Sequence, residues 1–246
     1  MKKIIAMLAI LLAATAAKAD TYTIKVGEFS ELEVNGQINV VYSSNPDSVG
    51  LVAFDTKPEY ARLILTSVNK GKLKLELSQE ADGITKLPTV RAYSSYLSRA
   101  ENTKDSTLFI HNVKPAAKIN FVLQGNGRLI ASGIEATNLN LQLQTGKGTL
   151  TASGKCGTLS ANLIGTGNIQ ADEVQADEAK CKIVGTGTIG VNASKKLSVS
   201  GMGSGRVYYK GQPTISTSQI GKIKAIPLDA QTGNPENVEV KPLQSK

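Results

Sequence analysis

Five Gly-x-Gly steps divide the middle of this chain into near-equal lengths: Gly125-Asn126-Gly127, Gly146-Lys147-Gly148, Gly165-Thr166-Gly167, Gly185-Thr186-Gly187 and Gly203-Ser204-Gly205. Two residues after each step stands an aliphatic residue: Leu129, Leu150, Ile169, Ile189 and Val207. The steps lie 21, 19, 20 and 18 residues apart. A period near 20 marks stacked coils, because one such repeat cannot bury its apolar face alone. About 20 extended residues at ~3.3 Å each make a loop roughly 66 Å around, and strands in successive coils lie ~4.8 Å apart. That suits a flattened coil of two or three short strands with tight corners. Glycine fits such corners because it accepts positive φ and lets backbones approach closely.

The residues around the corners alternate as strands do. Leu139-x-Leu141-x-Leu143, Leu159-x-Ala161-x-Leu163 and Leu197-x-Val199 precede corners. Leu150-x-Ala152, Ile169-x-Ala171, Ile189-x-Val191 and Val207-x-Tyr209 follow them. The intervening positions are Thr, Ser, Asn, Gln and Lys. Aromatic residues make up 4% of the chain and there is no Trp, which fits a thin aliphatic core. The fold class expected is all-β, a parallel β-helix-like solenoid of stacked coils with Gly-x-Gly corners. Helical periodicity is weak; the two short candidates are 57–63, with Pro58 in a first turn, and 93–101.

Lys2 and Lys3, an apolar run from Ile4 to Ala14 and then Ala17-Lys18-Ala19 read as a secretory signal over 1–19, with Asp20 the first mature residue. The run is too short to span a membrane, and no Cys at the cleavage point marks a lipoprotein. The expected location is the periplasm, the cell surface or the medium. The body is expected over 20–225, with irregular strands over 24–110 and regular coils over 111–225; a Pro-containing tail follows over 226–246. Strands are expected over 21–26, 32–42, 49–54, 63–68 and 72–77, with a hairpin turn at Asn69-Lys70-Gly71. Net charge is +8, and +5 once Lys2, Lys3 and Lys18 are removed. The basic residues are scattered, so nucleic acid is not an expected partner.

The run Phe29-x-x-Leu32-x-Val34-x-Gly36-Gln37-Ile38-Asn39-Val40 resembles the opening of the bacterial head GIN domain family, the head domains of autotransporter adhesins. The run Gly203-Ser204-Gly205-Arg206-Val207-Tyr208-Tyr209-x-Gly211-x-Pro213, then Gly221-x-Ile223, resembles its close. The resemblance covers roughly 24–225. It departs at Gln37, where the family has Gly, and at Gln219-Ile220-Gly221, where the last Gly-x-Gly is altered. It implies a β-helix-like fold in exported proteins of Bacteroidetes-type bacteria and surface attachment, and brings no catalytic residues.

Candidate chemistry is sparse. A phosphate loop needs a helix after its glycines, and a strand pattern follows each step here. Calcium-binding solenoids place Asp after Gly-x-Gly; this chain has Arg128, Thr149, Asn168, Thr188 and Arg206. Asp172, Glu173, Asp177 and Glu178 form the densest acidic group and read as solvated acids in a turn-rich connection rather than a glycosidase pair. His111 is the only histidine and has no partner constellation. Cys156 and Cys181 sit at different offsets from their corners, which favours two small buried thiols over a disulfide. No cofactor, metal or catalytic residue is expected. Three function classes remain: a binding or adhesion module of the cell envelope, a structural envelope protein, and a carbohydrate-active enzyme, with the first favoured and glycans or surface proteins as its partners. Its candidate contact residues are Arg206, Tyr208 and Tyr209, placed near what is expected to be a thinly capped C-terminal end of the stack.

Overall fold

A computed structural model describes residues 20–228. The expected signal segment over 1–19, and the expected tail from 229 onward, lie outside the described residues. In chain order the elements are β1 (Asp20–Lys25), β2 (Glu31–Asn35), β3 (Val40–Ser44), β4 (Leu51–Thr56), a short helix α1 (Pro58–Ala61), β5 (Ile64–Asn69), β6 (Lys72–Leu77), β7 (Val90–Ser94), β8 (Arg99–Asn102) and β9 (Thr107–His111). There follow β10 (Ala116–Gln124), β11 (Arg128–Gln144), β12 (Thr149–Gly165), β13 (Asn168–Gly185), β14 (Thr188–Gly203), β15 (Arg206–Lys210), β16 (Thr214–Gly221) and β17 (Lys224–Pro227). The fold is a β-solenoid, as the glycine period predicts.

Two long faces and one short face make each regular coil. The first long face pairs β10 with the later half of β11, then the later halves of β12, β13 and β14, and finally β16, all parallel. The second stacks β9, the early parts of β11 to β14, β15 and β17, again parallel. Between them a short face carries Ala136, Cys156, Ala176 and Ala193 in register. The apolar positions expected from alternation form continuous internal columns. Leu129, Leu150, Ile169, Ile189 and Val207 make one, and Leu139, Leu159, Ala179 and Leu197 another, all buried.

Each corner uses its two glycines for different reasons. Gly185 has φ +131°, and a Cβ there would lie 2.3 Å from the Gly165 carbonyl oxygen of the coil before. Gly187 has ordinary φ, but a Cβ would lie 2.4 Å from the Gly167 oxygen and 2.6 Å from a Leu163 methyl. The amides of Thr186 and Thr188 donate to those carbonyls, each at 3.1 Å. The final corner keeps its first glycine: Gly221 is in register with Gly203. Ile223, not Gly221, therefore stands where the other corners have their second glycine, which corrects the alignment read from Gln219-Ile220-Gly221.

The N-terminal region departs from simple succession. The coil made by β6 and β7 lies outside the coil made by β2 and β3, so β2 sits between β6 and β8, and β3 between β7 and β9. Antiparallel pairings β1–β4, β4–β7 and β5–β6 close that end. Most of the large aromatic side chains of the core gather here: Phe29, Tyr42 and Phe54 are buried. The Tyr42 hydroxyl shares hydrogen bonds with Ser94 Oγ at 2.7 Å and Ser44 Oγ at 3.0 Å. The hairpin at Asn69-Lys70-Gly71 is present, and α1 starts at Pro58 as expected. The candidate helix over 93–101 is instead the end of β7, a connection and β8. The span expected as one strand over 32–42 is split by a corner into β2 and β3.

Gly185→Ala and Gly133→Ala separate crowding from conformation. Gly133 has φ +66° with open space where a Cβ would go, so its substitution should cost about 1–2 kcal/mol. Gly185→Ala adds a carbonyl collision to its strain and should cost about 3 kcal/mol or more. Equal losses in a denaturant titration would refute the carbonyl contact, and a helical far-UV spectrum would refute the solenoid.

Candidate functional site

The sequence-derived contact residues fall on one strand but face different ways. In β15, Val207 and Tyr209 continue internal columns, and Tyr209 packs half-buried against the core. Arg206 is exposed at the start of the strand. Tyr208 faces outward in register with Gly190. It borders a small hollow of about 240 Å³ with Asn168, Gln170, Asp172, Gly190 and Leu228. The segment after Gly211, expected to cap this end only thinly, covers these residues as two further strands. β17 pairs in parallel along β15, with Arg206 opposite Lys224 and Tyr208 opposite Ile226. The terminal edges of the stack belong to β16 and β17.

The four acids separate once placed on the coil. Asp172 and Glu173 lie at a bulge of β13 and share Lys210 of β15: its Nζ is 3.0 Å from Asp172, and it also bonds Glu173. The two carboxylates, Glu173 foremost, hold the Lys210 ammonium above the usual lysine value. Asp177 pairs with Lys195 at 3.1 Å around the next bend. Glu178 is in register with Lys196 on the first long face. The segment is a continuous bulged strand, not the turn-rich connection expected, and Asp172, Glu173 and Asp177 sit in ion pairs. Structure thus brings Asp172 and Glu173 together with Lys210 and Tyr208, and places Asp177 and Glu178 elsewhere. His111 ends β9 opposite Ser43. Among the described residues no cluster of three His, Cys, Asp or Glu side chains could hold a metal.

A second surface was not anticipated. Along the concave bend beside the short face runs a trough of about 980 Å³. Its floor is a column of small residues, Ala116, Ala136, Cys156 and Ala176. One wall is the register column Glu135, Lys155, Gln175 and Asn192; the other includes Thr137, Gly157, Asp177 and Ser194. Crossing five coils at ~4.8 Å, the trough is about 19 Å long. Lys155 bridges to Glu135 of the coil before at 3.1 Å, so the wall carries charges that compensate each other. The sequence signal was available as a small residue recurring at one offset in each coil. It was masked because Ser132-Gly133, Asp172-Glu173 and Lys195 are bulged insertions that shift the count.

Both cysteines are free thiols. Cys181 is fully buried in the column of Ala161 and Val199, while Cys156 is half-buried in the trough floor rather than in the core. Burial, with a contribution from the Asp177 charge, pushes the Cys156 thiol up to about 11; burial alone pushes Cys181 up to about 12. A raised folded-state pKa gives stability that is fully present below the unfolded thiol value of 9.0 and lost as pH rises through the folded value. Above pH 9 the melting temperature should therefore fall less in Cys181→Ala than in the wild type. Parallel declines would show that Cys181 ionises no harder in the fold than outside it.

The family model described as "Putative auto-transporter adhesin, head GIN domain" matches residues 28–213. No curated protein matches the sequence. Among solved structures, a "putative adhesin" from Bacteroides fragilis superposes with a TM-score of 0.75 at 22% identity, covering 86% of this chain and 97% of that one. A "putative lipid binding protein" from Parabacteroides distasonis gives 0.67 at 22% identity, covering 86% and 98%. A "putative adhesin" from the same species gives 0.68 at 17% identity, covering 87% and 98%. These structures share the fold, and the family match runs from the opening motif through all five glycine corners to Pro213 of the closing motif: the chain belongs to the head GIN domain family.

Proposed function

We propose that this chain is an exported binding module of the cell envelope that works by surface contact rather than by catalysis. The trough carries the reading. It is long, shallow and straight, it follows the stack axis, and four of its five coils offer polar side chains to a ligand. Such a shape suits an extended partner, a glycan chain or a strand-like segment of a surface protein, over a compact substrate. The ion pairs of Asp172, Glu173 and Asp177 with lysines support a structural use of those acids. Membership in a family of adhesin head domains supports attachment as the purpose. In the described residues no helix is long and apolar enough to cross a membrane.

A glycan array and capture from envelope extracts test this with three proteins: wild type, Lys155→Ala/Gln175→Ala in the trough wall, and Arg206→Ala/Tyr208→Ala on β15. The trough variant should lose about tenfold or more of the retained partner, which corresponds to roughly 1.4 kcal/mol, at unchanged melting temperature. Loss confined to the β15 variant would move the contact to that hollow. Equal retention by all three would remove both surfaces, and turnover of any glycan on the array would refute the non-catalytic reading.

A further inference from the structure

The outward side of the first long face is polar along most of its length. Its columns read Asn120, Asn140, Ser160, Lys180, Ser198 and Ser216, then Gln142, Asn162, Lys182, Ser200 and Ser218. The last column before the glycine corner breaks that pattern. It begins with Gln124 and Gln144 and then becomes Ile164, Val184, Met202 and Ile220, each in register with the next. Ile164 is 48% exposed, Met202 54% and Ile220 73%. Four aliphatic side chains thus form one ridge, about 14 Å long at three strand spacings, on the outer edge of a corner where a flat surface can meet it along its length. Scattered exposed aliphatics need no explanation, but an aligned row of them on an otherwise Asn, Ser and Lys face does.

The charges around the ridge point to what meets it. Lys180 and Lys182 stand beside it on the same face, Lys147 and Lys222 on the adjoining corner, and all four are exposed. Among the described residues the ion pairs of the regular coils lie on the other faces, as in Lys155–Glu135, Lys195–Asp177 and Lys210–Asp172. The acid on this stretch of the face, Glu178, stands six residues from Val184, about 20 Å from the ridge; it lies two residues from Lys180, in register with Lys196. An apolar keel a few side chains long, flanked by lysines that form no ion pair among the described residues, is complementary to anionic headgroups over an acyl layer.

We infer that the ridge Ile164–Val184–Met202–Ile220, with Lys180, Lys182 and Lys222, docks the protein on the surface of a bilayer containing anionic phospholipid. The inference rests on the envelope-contact reading but uses a different face from the trough, so the module can sit on a membrane while its trough stays open.

Co-sedimentation with vesicles tests it, using the purified protein in its exported form. Vesicles of phosphatidylcholine with phosphatidylglycerol should carry the wild type down, and vesicles of phosphatidylcholine alone should not. Met202→Asp/Ile220→Asp should lower the partition about tenfold or more, since it removes apolar contact and adds charge of the wrong sign. Lys180→Gln/Lys182→Gln should lower it by about tenfold or more at low salt and by less at high salt. All four side chains point to solvent, and unchanged melting temperatures would confirm that the variants fold. The inference is overturned if the wild type ignores anionic vesicles, or if the aspartate variant partitions as the wild type does. It is also overturned if the ridge proves to be a self-contact, seen as a vesicle-free dimer that Met202→Asp dissolves. If vesicle binding fails while glycans or envelope proteins are still captured through the trough, the ridge falls and the envelope reading stands.

Discussion

At every glycine corner after the first, two backbone amides of one coil donate to two glycine carbonyls of the coil before. Thr186 and Thr188 reach Gly165 and Gly167, Ser204 and Arg206 reach Gly185 and Gly187, and Lys222 and Lys224 reach Gly203 and Gly205. These contacts require the corner backbones to approach more closely than a Cβ permits. Because the contact recurs at the same place, it sets the register of the two strands that leave the corner. Leu143 then falls on Leu163 and Leu163 on Ile183, and the core becomes a set of columns rather than a jigsaw of unlike residues. A coil slipped by one residue would turn each column inside out, and the corner bonds oppose that slip.

The same register that orders the interior multiplies whatever lies outside. One small residue at one offset becomes a trough floor when Ala116, Ala136, Cys156 and Ala176 stack. One aliphatic residue before a corner glycine becomes a ridge when Ile164, Val184, Met202 and Ile220 do. Side-chain bonds between coils follow the same rule: Asn140 donates to Asn120 at 2.8 Å, and Lys155 pairs with Glu135. A solenoid can therefore build long recognition features from single-residue choices, without a loop or a cavity dedicated to them.

The parts of the fold legible in the sequence were those governed by local periodicity. The glycine steps located the corners, and the alternation of Leu139 to Leu163 located the inward faces. Cys181 could be placed in its column by counting back from Gly185. What stayed hidden depended on contacts distant in sequence. Nothing near Leu73 or Val90 says that β6 and β7 belong outside β2 and β3, since that order is decided by pairings such as Leu32 with Leu73 and Val40 with Val90, far apart in the chain. The stretch 93–101 looked helical because a strand end, a bend and a strand start can mimic a turn spacing. The bend insertions at Ser132-Gly133 and Asp172-Glu173 hid the third face, because a bulge shifts the parity on which outward and inward positions are read. The ridge was concealed for a different reason. Its members precede the corner glycines in plain sight, but an outward aliphatic residue beside an inward one reads as a longer apolar run.

The last corner shows how tightly these columns are coupled. In the inner coils the second glycine must be bare because a bulky side chain from an earlier coil fills its space: Leu143 faces Gly167, Leu163 faces Gly187 and Ile183 faces Gly205. The next member of that bulky column is Gly201, in register with Ile183. The partner that the same offset assigns to it is Ile223, which is buried in the core. Large and small have changed places, so the space at the corner is filled from the last coil instead of from the one beneath. A corner closed in this way no longer needs the glycine pair, and β17 carries Lys224 and Pro227, residues that discourage a further strand from pairing. The N-terminal end reaches the same result by other means, turning β1 and β5 antiparallel to their neighbours. Growth of the stack is thus limited at both ends by residues that break the repeat, which leaves its long sides as the surfaces free to serve recognition.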